Sequence, residues 1–132
     1  MSQVLKDYKE AMSILENKFA DTVFLERTFP LSHVKLSLKT KIKQMFGFDE
    51  IWEFGANIYL NRYNSEVRAL FQTQNSFFDF SKILTIKPDG TISTFVHNKV
   101  KYSHMYADYT YDGTHLNEMG KQKAAEQFLK FC

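Results

Sequence analysis

The sequence predicts an α/β chain whose parallel sheet is incomplete as written. Long segments with apolar residues at helical spacing alternate with two short β-prone runs, Thr22-Val23-Phe24-Leu25 and Phe77-Phe78-Asp79-Phe80. In such an alternating order the strands are expected to be parallel and buried. Thirteen Phe among 132 residues, with 16% aromatic and 44% hydrophobic content, suit a thick, two-sided core of the kind a helix-covered sheet provides. Two buried-type strands cannot close a doubly wound sheet, however, because central parallel strands need neighbours on both edges.

Taken in order, Val4, Leu5, Tyr8, Met12, Leu15 and Phe19 recur at helical spacing with Lys6, Lys9, Glu10 and Glu16 between them. This predicts a one-sided helix over about residues 2–19 with Ser2 as N-cap. The run Thr22 to Leu25 reads as the first strand, and Arg27-Thr28-Phe29-Pro30 ends it because Pro30 cannot donate to a ladder. Val34, Leu38, Ile42 and Met45 predict a second helix from Val34 to Phe46, stopped at Gly47. Asp49-Glu50 then place acid at the start of a third, longer helix, where it favours the dipole. Its apolar side is Ile51, Phe54, Ile58, Leu60, Val67, Leu70 and Phe71, up to about Gln72.

After the loop 72–76 comes the second strand, with Asp79 as its one oddity, read as a cap for the turn at Ser81-Lys82 or a bond to a neighbouring loop. Pro88-Asp89-Gly90-Thr91 is a turn. Ile92, Thr94 and Val96, then Val100 and Tyr102, predict a small hairpin turning at His97-Asn98-Lys99. The tyrosines Tyr106, Tyr109 and Tyr111 follow; they either pack their loop against the sheet or shape a pocket. The last helix runs from about Asn117, its N-cap, to Phe131, with Ala124, Ala125, Phe128 and Leu129 against Lys121, Lys123, Glu126 and Lys130. No repeat or linker divides residues 1–132, which read as a single domain.

Bulk properties exclude several function classes. A net charge of +2 is too near balance for a nucleic-acid partner, and the one basic patch, Lys35, Lys39, Lys41 and Lys43, reads as a solvated helix face. The sole cysteine, Cys132, cannot form an internal disulfide. His33, His97, His104 and His115 show no metal-ligand spacing, and no cofactor is implied. No run approaches the length of a membrane span, and the first residues form an amphipathic helix, not a signal peptide. The expectation is a soluble chain with no membrane partner, cytoplasmic unless an upstream signal is missing.

The candidate chemistry lies in Tyr111-Asp112-Gly113-Thr114-His115-Leu116-Asn117. A carboxylate three residues before an imidazole can hold one ring nitrogen, fix the tautomer and steady the imidazolium that forms when the other nitrogen takes a proton from a nucleophile. Asp112 and His115 are therefore the candidate catalytic residues. The same residue types also serve turns ahead of helices for capping reasons alone.

The string D-G-T-H-L-N-E-M-G-K-Q-K-A-A resembles the last block of the SGNH (GDSL-type) hydrolases. More loosely, Phe24 to Leu31 resembles that family's strand with its "T-x-P-L" exit, and Asn61 to Arg68 the helix before its "F-D" strand, here Phe78-Asp79-Phe80. The resemblance spans nearly the whole chain but only the C-terminal half of the family domain. It implies an incomplete three-layer α/β/α (flavodoxin-like) fold, with Asp112 and His115 as two triad members and a small ester, lipid or acetylated sugar as substrate in the complete enzyme. The family's nucleophile block has no counterpart, since no Ser stands in a Gly-Asp-Ser context. Gly55-Ala56-Asn57-Ile58 is only faintly similar to the family's oxyanion block. It lacks the Asp and lies in a helical pattern. The resemblance thus implies a chain inactive by itself, with an N-terminal half or a second copy as partner. The alternative is a non-catalytic interaction or remnant domain that keeps the fold for packing.

Overall fold

Helices and short strands alternate in the computed structural model, which describes residues 3–35, 42, 46 and 52–132. The Ser2 cap, the second helix beyond Lys35 apart from Ile42 and Phe46, the Asp49-Glu50 start of the third helix, and Lys39, Lys41 and Lys43 lie outside the described residues. Val34, the predicted start of the second helix, is instead non-helical and buried. Its N–H donates to His104 Nδ1 at 2.9 Å.

Helix α1, Gln3–Lys18, docks through its N-terminal half. Leu5 is its one buried residue and joins Val67 and Phe71 of α2, Trp52–Phe71. Tyr8 meets Phe71 edge-on at 6.0 Å and donates its hydroxyl to the buried Glu26. Burial first, and the bond to Glu26 second, raise the Tyr8 pKa and keep the phenol protonated.

The first strand falls later than its β-propensity suggests. Strand β1 is Glu26–Arg27, while Thr22 to Leu25 are irregular and Val23 is exposed. Propensity reports that a side chain suits a pleated surface; pairing begins where a partner lies. That partner is β2, Phe77–Phe78, in parallel register with Glu26 opposite Phe77. The ladder is framed by Glu26 N–H to Ser76 O at 2.9 Å and Thr28 N–H to Phe78 O at 3.3 Å. Pro30 follows two residues later, as expected of a strand end.

Beyond β2 the chain does not continue as strand to Phe80. Asp79 caps a short helix, α3, Phe80–Thr85, by accepting from Lys82 N–H at 3.3 Å, which is the capping role foreseen for it. Thr28 completes the corner: its hydroxyl donates to Asp79 Oδ1 at 2.9 Å and accepts from Ser81 N–H at 2.8 Å.

Four polar residues of α2 organise the interior. Asn57, Asn61, Asn64 and Arg68 recur at i, i+4, i+7 and i+11, so they form one row on the helix. Asn57 Oδ1 accepts from Ser32 N–H at 3.0 Å. Asn61 accepts from Ser103 N–H at 3.2 Å and donates to Ser103 O at 2.8 Å. Asn64 treats Phe29 likewise, accepting from its N–H and donating to its carbonyl, both at 2.8 Å. Arg68 grips Asp79 through Nε at 2.7 Å and Nη2 at 3.0 Å, and reaches Ser81 Oγ at 2.6 Å. Burial works to raise the Asp79 pKa, but the Arg68 bonds and charge outweigh it and the net shift is downward.

The hairpin is β3, Thr94–His97, with β4, Val100–Ser103. Its two turn residues, Asn98 and Lys99, take φ of 48° and 63°, the left-handed pair that matches strand twist in a two-residue hairpin. Phe95 of β3 stacks on Phe54 of α2 at 5.1 Å, in a cluster with Val34. Helix α4, Glu118–Phe131, starts at its Asn117 cap as expected and sets Phe128 and Phe131 against Phe78 at 5.4 and 5.5 Å. The fold is thus mixed helix and sheet, with two small two-stranded sheets among the described residues.

Asn64→Leu keeps the side-chain size but removes the part-buried partners of the Phe29 N–H and carbonyl. It is expected to lower unfolding free energy by about 2–4 kcal/mol, two unsatisfied groups at about 1–3 each with partial relaxation. Urea denaturation measures it, and a loss under about 1 kcal/mol would show that the row is incidental.

Candidate active site

The loop between Tyr109 and α4 is shaped by its own side chains. Thr110 Oγ1 accepts from Gly113 N–H at 2.8 Å and donates to His115 O at 2.7 Å. Gly113 turns with φ of 99°, a region that favours glycine. Asp112 Oδ1 accepts the N–H groups of Thr114 and His115, both at 2.8 Å, and the Thr114 hydroxyl at 3.0 Å. Its other oxygen, Oδ2, lies 2.6 Å from His115 Nδ1.

These contacts assign the tautomer. With Asp112 as carboxylate, His115 Nδ1 carries the proton and donates it to Oδ2, leaving Nε2 as a free lone pair. The carboxylate is secure, because the His115 N–H, then the His115 ring, then the Thr114 N–H hold the Asp112 carboxyl well below the usual range. His115 is 71% exposed and Asp112 38%. No hydrogen bond to Nε2 is formed among the described residues. The Tyr111 ring stacks on His115 at 5.9 Å and limits how the imidazole can swing.

The loop is anchored from two sides. His33 N–H donates to Gly113 O at 2.7 Å, and His33 Nδ1 lies 3.0 Å from Met105 O, to which it donates. On the other side Asn117 N–H bonds Tyr109 O at 3.0 Å, and Asn117 Nδ2 reaches Asp108 O at 2.8 Å. Helix α4 packs so closely here that a Cβ on Gly120 would stand 2.2 Å from Tyr109 O, so only glycine allows the approach. A cleft of about 430 Å³ opens beside Asp112, walled by Ser32, His33, Lys35, Tyr111 and Thr114 among others. The tyrosines divide: Tyr109 is buried and bonds Ile86 O at 3.1 Å, a packing role, whereas Tyr111 is exposed at the cleft.

The Asp112–His115 pair predicted from spacing is therefore assembled. No serine hydroxyl bonds His115 among the described residues. Among the described residues the one Ser–His hydrogen bond lies elsewhere, Ser93 Oγ to His104 Nε2 at 3.0 Å. It is built the wrong way round for catalysis. His104 Nδ1 accepts from Val34 N–H, so Nε2 carries the proton and must donate to Ser93, which leaves no base facing the hydroxyl. Asn57, in the weak oxyanion look-alike, is helical, as expected of that segment, and the structure also buries it fully. The His33 bond to the loop carries no sequence signal, because it is made by a main-chain N–H, which any residue but proline offers.

The chain finds no match among protein-family models, curated proteins or solved structures.

Burial, and then the neighbouring His33, push the His104 pKa down to about 4. The unfolded chain, with its histidine near about 6.5, takes up the proton first, so His104 contributes stability above that pH that is lost as pH falls toward 4. Stability should drop by about 2 kcal/mol between pH 7.5 and 5, at about 1.4 kcal/mol per pKa unit. In His104→Gln the drop measured by urea titration at the two pH values should shrink by about that amount; an unchanged pH profile would refute the assignment.

Proposed function

We propose that this chain carries the acid–base half of an SGNH-type serine ester hydrolase, in an incomplete three-layer α/β/α domain. The observation that carries the reading is the Asp112 Oδ2 to His115 Nδ1 contact of 2.6 Å, with no hydrogen bond to Nε2 among the described residues. The D-G-T-H-L-N-E-M-G string and the two-residue parallel pair β1–β2, which has no third strand among the described residues, support it. In this reading His115 Nε2 takes the proton of a serine hydroxyl brought by a Gly-Asp-Ser segment that this sequence does not contain. The serine oxygen attacks the ester carbonyl, and His115 returns the proton to the departing alcohol; a water activated the same way then releases the acid. Asp112 keeps Nδ1 protonated and steadies the imidazolium. The substrate is a small ester, and the chemistry uses no cofactor.

A second reading is favoured by one observation: Asp112 Oδ1 accepts three hydrogen bonds from Thr114 and His115, enough to shape a turn with no chemistry attached. On that reading the chain is a non-catalytic interaction domain.

Alone, the chain is expected to hydrolyse p-nitrophenyl acetate no faster than buffer. Mixed with the N-terminal half of an SGNH hydrolase bearing its Gly-Asp-Ser, Gly and Asn blocks, it should turn over the ester. His115→Ala should then cost more than roughly 10³-fold in kcat, and Asp112→Ala clearly less. Restored turnover indifferent to His115→Ala, or a tight complex that never turns over, would leave only the turn-shaping role.

A further inference from the structure

Helix α1 is poorly covered. Of its 16 residues Leu5 alone is buried, while Val4, Ile14 and Leu15 are exposed, as is Phe19 just beyond its end, and Tyr8 keeps part of its ring exposed beside its contacts with Phe71 and Glu26. A helix of this length is marginal in water unless its apolar face is packed. At 100° per residue, Leu5 and half-buried Met12 point to the body, and Tyr8, Leu15, Val4 and Ala11 lie side by side next to them. Their order, 4, 8, 11 and 15, has the alternating four- and three-residue steps of a coiled-coil seam. Asp7 and Lys18 border the seam on its outer side.

The seam is self-complementary in one direction only. Reversing a second α1 about a point between Ala11 and Met12 sets Tyr8 opposite Leu15, Val4 opposite Phe19 and the small Ala11 at the crossing. It also brings Asp7 within a turn of the other helix's Lys18, twice by symmetry. Parallel pairing would put Asp7 on Asp7 and Lys18 on Lys18, like charges that repel. A lipid surface fits less well, because Lys6, Lys9 and Lys18 are balanced by Asp7, Glu10 and Glu16, leaving no net attraction to anionic headgroups. We propose that α1 pairs antiparallel with α1 of a second copy of this chain, giving an isologous two-fold dimer. This rests on α1 alone and is independent of the chemistry proposed for Asp112 and His115.

Sedimentation velocity on the full chain over about 1–100 μM should show a monomer–dimer equilibrium. Leu15→Glu, at an exposed helical position that leaves the fold intact by circular dichroism, should weaken it at least about tenfold. Asp7→Lys and Lys18→Asp should each weaken it several-fold, and their combination should restore it. A monomer throughout, association untouched by Leu15→Glu, or no rescue in the charge swap would each overturn the proposal. So would flotation with phosphatidylserine vesicles that depends on Leu15 while no dimer forms.

Discussion

The structure depends on a row of polar side chains that α2 turns inward. A buried helix face is normally apolar, yet Asn57 and Asn64 are almost wholly buried and Asn61 and Arg68 extend the row. The reason lies in what they meet. Phe29 and Ser32 lie in irregular backbone and Ser103 is the last residue of β4, and a main-chain N–H or C=O left unpaired there costs about 1–3 kcal/mol. An Asn carboxamide offers one acceptor and one donor at the spacing of a peptide unit. Asn64 at Phe29 and Asn61 at Ser103 use both. The row therefore supplies main-chain partners to two loop segments and to a strand end.

That constraint reaches the candidate site through a short chain of contacts. Asn57 holds Ser32 N–H, and Ser32 O in turn accepts Met105 N–H at 3.2 Å. The next residue, His33, uses its N–H on Gly113 O and its ring on Met105 O. The loop carrying Asp112 and His115 is thus fixed to α2 through two intermediate segments, and from the far side to α4 through Asn117 and Gly120. A solvent-facing pair can keep a 2.6 Å contact on a loop because main-chain bonds, not packing, set its geometry.

The charged pairs differ in purpose according to burial. Arg68 and Asp79 are partly shielded and share their bonds with Thr28 and Ser81, so each charge has partners and the group serves as a corner brace. Asp112 and His115 are open to water and gain little stability from their attraction. What that pair holds instead is a tautomer. His104 shows the opposite arrangement, a neutral imidazole locked by a main-chain donor and a serine, structural for the same reason that it cannot act as a base.

Features whose cause lies within one or two helical turns were legible in the sequence. The spacing of Val4, Leu5 and Tyr8 marked α1, Asn117 marked the start of α4, and the three-residue step from Asp112 to His115 placed carboxylate and imidazole together. Asp79 could be recognised as a cap because its acceptor role is local. The inward Asn row was also written at helical period, but polarity alone says nothing about which face a helix buries. Tertiary structure decided the rest. The strand sits at Glu26–Arg27 because Ser76 and Phe78 lie there to bond it. The short α3 has too few residues to show a period, and His33 acquires its place from Met105, 72 residues away. A side-chain pattern can specify a helix or a turn, but where backbone groups find partners depends on segments the pattern does not contain.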